Sequence, residues 1–427
     1  MPVIDSWSCP TTVFAGEGAL RRWCDQPAAD GCVLVVDAEV WRLQQGQLRE
    51  TIENRAATRL IVAAGDSDGQ RVGAISAELA QYPDATVVAV GGGSVLDAAR
   101  LAVLARRDRQ VRPMLEHGSG MAMFPAERTA SAALVCVPTT FGTAAEVSPI
   151  AMFRDGGRKV MVVSPALRAH VAVIDPALTD SLPPQLCAGG LLEPWSRAVV
   201  PAVCGEPLLP ADAMARALAD TVETLGRELA GAMRADHHSV GVDHAATPGG
   251  DRSADGTAWR LAAALTSAQT HTAFLSLGRS PFGHVLWPFA TEISAGWGVS
   301  KAVALMWLIP AWLEGLAAGE LGASFGTPMR VQQILGSAPA DAADDFRRWC
   351  AGLGQGVAAS TSRTPPTLLL PTLSPLTPAT VTTGVRSIWQ DGGYFLSGVS
   401  AREISWLVSR AWPTEDSIAT AEPATNG

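Results

Sequence analysis

Thr86-Val-Val-Ala-Val-Gly91-Gly-Gly-Ser-Val-Leu-Asp97-Ala-Ala-Arg100 is the stretch that decides the fold. A β-rich run enters three consecutive glycines, after which apolar positions recur at helical spacing through Leu101 and Leu104. A strand that turns through glycines straight into a helix lets another molecule approach the backbone closely. The amides at the helix start then attract a negative group such as a pyrophosphate. Glycine turns are common, so the neighbours matter. Working outward, Cys32-Val-Leu-Val-Val-Asp37, Leu60-Ile-Val-Ala-Ala64 and Ala133-Leu-Val-Cys-Val-Pro138 are further short strands separated by helical stretches. That alternation implies a parallel sheet.

From about Pro184 onward the pattern is helical, with Ala-, Leu- and Trp-rich segments broken by Gly and Pro. A chain of 427 residues is long for one core. Two domains are expected: an α/β domain over residues 1–182 and an all-helical domain over 183–427. Hydrophobic residues at 48% and charged residues at 17% describe a chain that folds. A net charge of -9 and the lack of any basic cluster argue against a nucleic-acid partner. Met1-Pro-Val-Ile-Asp-Ser6 has no signal-peptide character, and no apolar stretch reads as a bilayer span, so a cytoplasmic enzyme without a membrane partner is expected. Seven scattered cysteines, never spaced Cys-x-x-Cys, indicate neither a disulfide framework nor a thiolate zinc site. They read as small hydrophobes.

Two further features stand out. Only two of the 32 basic residues are lysines, Lys159 and Lys301, so each invites a reason. Residues 234–257 are rich in Gly, His and Asp and read as a surface loop, although His237, His238, Asp243 and His244 offer metal-ligating side chains.

A second segment, Pro138-Thr-Thr-Phe-Gly-Thr-Ala-Ala-Glu-Val-Ser148, follows a strand and supplies hydroxyls where a nucleotide would be held. With Phe14-Ala-Gly-Glu-Gly-Ala-Leu20, Lys159, Val173-Ile-Asp-Pro-Ala-Leu-Thr-Asp-Ser-Leu-Pro-Pro184 and Ser397-Gly-Val-Ser-Ala-Arg-Glu-Ile-Ser-Trp-Leu407, it resembles the iron-containing alcohol dehydrogenase superfamily, which includes the dehydroquinate synthases. The resemblance implies a Rossmann-related, dehydroquinate synthase-like α/β domain, an all-α domain, an active-site cleft between them, and a homodimer or larger assembly. It also implies NAD as cofactor rather than NADP. Asp37 falls where family members place an acid against the adenosine ribose. Gly91, Gly92, Gly93, Ser94 and Asp97 match the pyrophosphate loop, and Thr139, Thr140 and Thr143 match the second nucleotide segment. Lys159 matches a lysine near the nicotinamide ribose.

The family's metal ligands are not retained. The family's Asp and His, four residues apart, fall on Glu193 and Arg197, the later ligand positions on Gly283 and Trp297, and an additional family histidine on Trp287. A guanidinium stays protonated and has no lone pair to give, and indole offers none either, so no bound metal is expected. The chemistry then moves to other residues. Glu193 and Arg197 are spaced to pair on a helix, with Arg197 presenting a positive fork to a carboxylate or alkoxide. Lys301, four residues after Trp297 and read on the same helical face, is a candidate base, and His284 is a candidate for proton transfer. Trp287 and Trp297 suggest a flat apolar surface for a substrate.

These readings lead to a metal-independent, NAD-dependent oxidoreductase acting on a hydroxyl group of a small molecule or peptide. A resemblance to dehydrogenases of daptide-type ribosomal-peptide clusters suggests natural-product biosynthesis and a C-terminal threonine as the group oxidised. The alternatives are a carbocycle synthase like dehydroquinate synthase and a non-catalytic NAD-binding scaffold of a biosynthetic complex, held by a partner protein.

Overall fold

The computed structural model describes residues 7–62, 65, 67–107, 110–117, 120–124, 133–155, 158–238, 254–297, 299–359, 377–390 and 395–412. Its strands are β1 (Thr12–Ala15), β2 (Cys32–Asp37), β3 (Ala56–Val62), β4 (Val87–Gly91), β5 (Met121–Met123), β6 (Leu134–Pro138), β7 (Ile150–Asp155), β8 (Arg158–Val163) and β9 (Val171–Ile174). Between them lie α1 (Ala19–Cys24), α2 (Ala38–Thr51), α3 (Gly69–Gln81), α4 (Gly93–Arg107) and α5 (Val111–His117). The later helices are α6 (Pro184–Cys204), α7 (Leu209–His238), α8 (Ala254–Gln269), α9 (Trp287–Trp297), α10 (Lys301–Ala318), α11 (Pro328–Leu335), α12 (Pro339–Ala359), α13 (Pro378–Gly384) and α14 (Ala401–Ala411).

Six strands form an all-parallel sheet in the order β1-β9-β6-β4-β2-β3. Their side chains alternate between two cores. Val33 and Val35 of β2, Val87 and Ala89 of β4, and Leu134 and Cys136 of β6 enter one core. Leu34 and Val36, Val88 and Val90, and Val135 and Val137 enter the other. Burial on both faces is why these strands read as unbroken apolar runs. A second sheet, β5-β8-β7, was not foreseen; it contains an antiparallel pair, β7 with β8.

The chain divides into two compact units. The sheet unit comprises Ser8–Leu182 together with α8, which continues to Thr272, although α8 lies in the stretch expected to be purely helical. Arg260 of α8 donates to the Thr179 carbonyl, and Trp259 packs edge-on against Phe141 with ring centroids 5.6 Å apart. The helical unit contains α6, α7 and α9 to α14. Within it, α10 is long and apolar enough to cross a membrane by length and composition, contrary to the expectation that no stretch is; 67% of it is buried in the protein. His237 and His238, expected in a loop, belong to the end of α7, while Asp243 and His244 lie outside the described residues. Of the cysteines, all free, Cys24, Cys32, Cys136, Cys187 and Cys350 are buried. Burial pushes the Cys24 and Cys136 thiols up to about 12, in keeping with packing rather than reactivity.

One buried cation ties the sheet unit together. Arg100 of α4 is fully buried; its Nε donates to Leu167 O at 2.9 Å, and its Nη2 to the carbonyls of Ser148 and Ile150. Its Nη1 pairs with Asp97 at 2.7 Å. Removing one partner of such a buried pair leaves an uncompensated charge. Arg100→Met is expected to destabilise the protein by about 3–5 kcal/mol in urea unfolding, with Arg100→Lys losing much of the same.

Candidate functional site

In the sheet unit, β4 ends at Gly91, and α4 begins at Gly93. A Cβ on Gly91 would sit 3.0 Å from Val95 Cβ and 3.1 Å from Asp37 Cβ, and one on Gly93 would sit 2.8 Å from Thr143 Cγ2. Gly92 has Thr140 at 3.4 Å from the same position. The two segments singled out in the sequence therefore meet. Thr139 N–H donates to Gly91 O at 3.0 Å, Thr139 is buried, and Thr143 is exposed at the rim. Gly142 N–H donates to Ser267 Oγ of α8 at 3.1 Å, so α8 backs this loop. Ala144 holds a left-handed conformation there at φ 52°, unusual for a residue with a Cβ.

Asp37 ends β2 and caps α2: its Oδ1 accepts from Glu39 N at 2.8 Å and Val40 N at 3.3 Å. Oδ2 takes none of the described hydrogen bonds. Ser94 is half-buried in the first turn of α4. Asp97 departs from its expected place in a pyrophosphate loop. It lies a turn further in, with Oδ1 on Arg100 of the same helix and Oδ2 accepting from Met152 N at 2.8 Å, which joins α4 to β7. Lys159 sits in β8 opposite Arg154, and its side chain lies outside the described residues.

In the helical unit, Glu193, Ser196 and Arg197 share one face of α6. Two prolines interrupt the helix's hydrogen bonding nearby: Pro194 supplies no N–H to Gly190 O, nor Pro201 to Arg197 O. Arg197 Nη1 pairs with Glu193 Oε2 at 3.3 Å, both side chains nearly buried, as the spacing predicts. His284 lies in the segment leading into α9. That segment is anchored by buried Arg279, which pairs with Asp212, itself held by Arg330 at 2.9 Å. Lys301 opens α10, and its Nζ stands 3.9 Å from the centroid of the Trp287 ring. The Trp287 ring meets the His284 ring edge-on at 5.3 Å.

The contacts of Ser196 favour one tautomer of His284. Ser196 has one hydroxyl proton and donates it to Glu193 O at 2.8 Å. The 3.1 Å contact between Ser196 Oγ and His284 Nε2 is satisfied together with it in the tautomer whose imidazole donates from Nε2. Nδ1 is left carrying the lone pair, buried and without a protein partner. Burial, reinforced by the charges of Arg197 and Lys301, pushes the imidazole down to about 3, so it stays neutral at ordinary pH.

The spacing of Trp297 and Lys301 does not hold as expected. Trp297 and Lys301 do not share a helix, because Trp297 ends α9 and Ser300 caps the start of α10. Trp297 packs instead on Trp412 at 4.5 Å and Trp307 at 5.3 Å. The contribution of Ser196 went unread, although its spacing between Glu193 and Arg197 placed it on the same face. Of the residues that the sequence sets at the resemblance's ligand positions, Glu193 and Arg197 pair with each other, Trp297 stacks on other rings, and Gly283 has no side chain. Among the described residues, no group of three or more His, Cys, Asp or Glu gathers to hold an ion.

Comparison with known proteins agrees with this architecture. Residues 10–176 match the family model described as iron-containing alcohol dehydrogenase. This segment belongs to that superfamily, and the whole chain shares its fold. The probable alcohol dehydrogenase EutG of Salmonella typhimurium is 36% identical over 195 residues, 43% of this chain and 47% of that protein. The chain thus spans about half the length of the curated relatives it matches. Among solved structures, the NADH-dependent butanol dehydrogenase A of Thermotoga maritima aligns with a TM-score of 0.74 at 15% identity, covering 96% of this chain and 100% of that one. The sulfoacetaldehyde reductase of Bifidobacterium kashiwanohense, solved with NAD+, aligns at 0.67 and 16% identity, covering 96% and 98%.

Two outcomes follow from this geometry. Gly93→Ala is expected to destabilise the protein by about 1–3 kcal/mol through overpacking against Thr143, and Thr143→Ala to restore most of the loss. A double-mutant cycle in urea that finds the two effects simply additive would show the contact to be absent. His284 binds a proton more readily unfolded, near 6.5, than folded, near 3. Its contribution to stability is full above pH 6.5 and is lost as pH falls toward 3. His284→Gln should therefore flatten the pH dependence of the urea midpoint between about pH 6 and 4.

Proposed function

We propose that the chain is an NAD-dependent oxidoreductase that acts on a hydroxyl group without a catalytic metal. The observation that carries this reading is the buried lone pair on His284 Nδ1 beside two cations, Arg197 and Lys301, where the family places metal ligands. The glycine turn suits a dinucleotide: the missing side chains of Gly91, Gly92 and Gly93 let Asp37, Thr140 and Thr143 lie close against the start of α4, whose first-turn amides suit a phosphate. Thr140 and Thr143 border it, and Asp37 Oδ2 suits a ribose hydroxyl and repels a 2′-phosphate, which favours NAD over NADP. When bound, NAD supplies the hydride acceptor.

The remaining chemistry belongs to the protein. A substrate hydroxyl donates to His284 Nδ1, which takes its proton as the carbon loses hydride. Ser196 holds the imidazole in the tautomer that leaves Nδ1 open. Arg197, fixed by Glu193, and Lys301 stabilise the negative charge that develops on the oxygen. In this reading Lys301, whose Nζ stands 3.9 Å from the centroid of the Trp287 ring, acts as an electrostatic group. The substrate that suits this charge pattern carries a carboxylate, and we place the C-terminal threonine of a peptide first among candidates. Oxidation of its hydroxyl gives a β-keto acid, which loses carbon dioxide.

Calorimetry with NAD and NADP tests the cofactor, NAD being expected to bind the more tightly. Incubation with NAD and a Thr-terminated peptide should then form NADH and remove two hydrogens and carbon dioxide, unaffected by a chelator. His284→Gln should lower kcat by about 100-fold or more. Activity that a chelator abolishes and a divalent metal restores would sink the metal-independent reading.

A further inference from the structure

We propose that Trp287 Nε1 and Thr291 Oγ1 form a second recognition point, so that the substrate must carry an acceptor oxygen close to the hydroxyl it presents to His284: a hydroxy acid rather than a simple alkanol. This rests on the proposed oxidation at His284 and adds the residues that select the substrate.

The argument starts from an imbalance. Among the described residues, the buried side-chain polar atoms without a hydrogen-bond partner, arginine nitrogens aside, are His284 Nδ1, Trp287 Nε1 and Thr291 Oγ1. Buried polar groups are normally satisfied, because each unmatched one forfeits its hydration. These three fall within eight residues, spaced three and then four apart, which places Trp287 and Thr291 a turn apart on one face of α9. Thr291 is completely buried. The stripe is polar in a helix otherwise rich in apolar residues, and the Ser196 bond joins its first member to the polar face of α6.

Donor and acceptor roles then define the ligand. His284 Nδ1 accepts, Trp287 Nε1 only donates, and Thr291 Oγ1 does either. Their complement is a group that donates once and accepts at least once, as a hydroxyl and a neighbouring oxygen do. Lys301 over the Trp287 ring and the nearby Arg197 favour a charged acceptor, a carboxylate. An alkanol satisfies His284 and leaves the indole N–H buried and unmatched. Sites built to hydrogen-bond a substrate group discriminate strongly against analogues that lack it.

The test compares 3-hydroxybutanoate with butan-2-ol, which differ by the carboxylate, in NADH formation and in calorimetric binding with NAD present. The wild-type protein should prefer the acid in kcat/KM by at least about 100-fold. Trp287→Phe, which keeps an aromatic face for Lys301, should cut that preference about tenfold or more. Thr291→Val, close in shape, should cut it less, and Thr291→Ser should retain it. Equal use of both compounds, or a preference untouched by both Trp287→Phe and Thr291→Val, overturns the inference and leaves oxidation at His284 standing. Binding of the acid that Trp287→Phe weakens, with no NADH formed from either compound, supports the recognition point and overturns the oxidation. An acid that is neither bound nor turned over overturns the recognition point, whatever becomes of the alkanol.

Discussion

A guanidinium with no access to water, Arg100, is the constraint on which the sheet unit depends. From one side chain on α4 it reaches Asp97 on its own helix, the carbonyl of Leu167, and the carbonyls of Ser148 and Ile150 at the start of β7. Asp97 closes the circuit by accepting from Met152 N in the same strand. The chain between β6 and β7 is thereby pinned at its far end, and Thr139 pins its near end to Gly91. What lies between, Thr140 to Val147, has little freedom except to lie over the glycines. The cradle is bare at Gly93 because the loop presses Thr143 onto it, and the loop stays there because Arg100 is never exposed.

The helical unit solves a different problem, that of keeping charge and lone pairs buried among apolar helices. α6 does so by pairing Glu193 with Arg197 within one turn and by using the single Ser196 proton to set the imidazole. The Asp212, Arg279 and Arg330 cluster secures the segment that brings His284 into reach. Buried ionic groups of this kind are weak evidence for stability. Here they fix the position of the connection into α9, which contains only one short 3-10 turn, Phe274–Ser276.

Much of the fold was legible because its signals are local. The apolar runs of β2, β4 and β6 and the glycine turn before α4 depend only on neighbours in sequence. β1 and β9 were missed as strands, since each is four residues long and pairs mainly across the chain. α8 was assigned with the later helices, because nothing in its periodicity says that Arg260 and Trp259 pack against residues far earlier in the chain. In the site, the Glu193 to Arg197 pair followed from helical spacing. Asp97 looked like part of a phosphate loop because the motif shows which residues are near the turn, not which way a carboxylate faces. The place of Lys301 was misjudged for a similar reason: counting four residues from Trp297 assumes one helix, and the chain breaks at Ser300. The role of Ser196 depends on a contact with a residue 88 positions away, which no local pattern contains.

The electrostatics of His284 impose a condition on any chemistry proposed for it. Burial, to which the charges of Arg197 and Lys301 add, disfavours the protonated imidazole, so the neutral form persists down to about pH 3. At rest, such a nitrogen is a poor base. It becomes a better one only when negative charge arrives with the proton it takes. A hydroxyl losing its proton supplies that charge on the oxygen, and a carboxylate on the same molecule supplies more. The cations that suppress the base in the empty site are thus the ones that reward an anionic ligand. Under the proposed reading, proton transfer is conditional on a substrate bound at both ends, and a molecule carrying a hydroxyl alone meets a site whose own field disfavours the step.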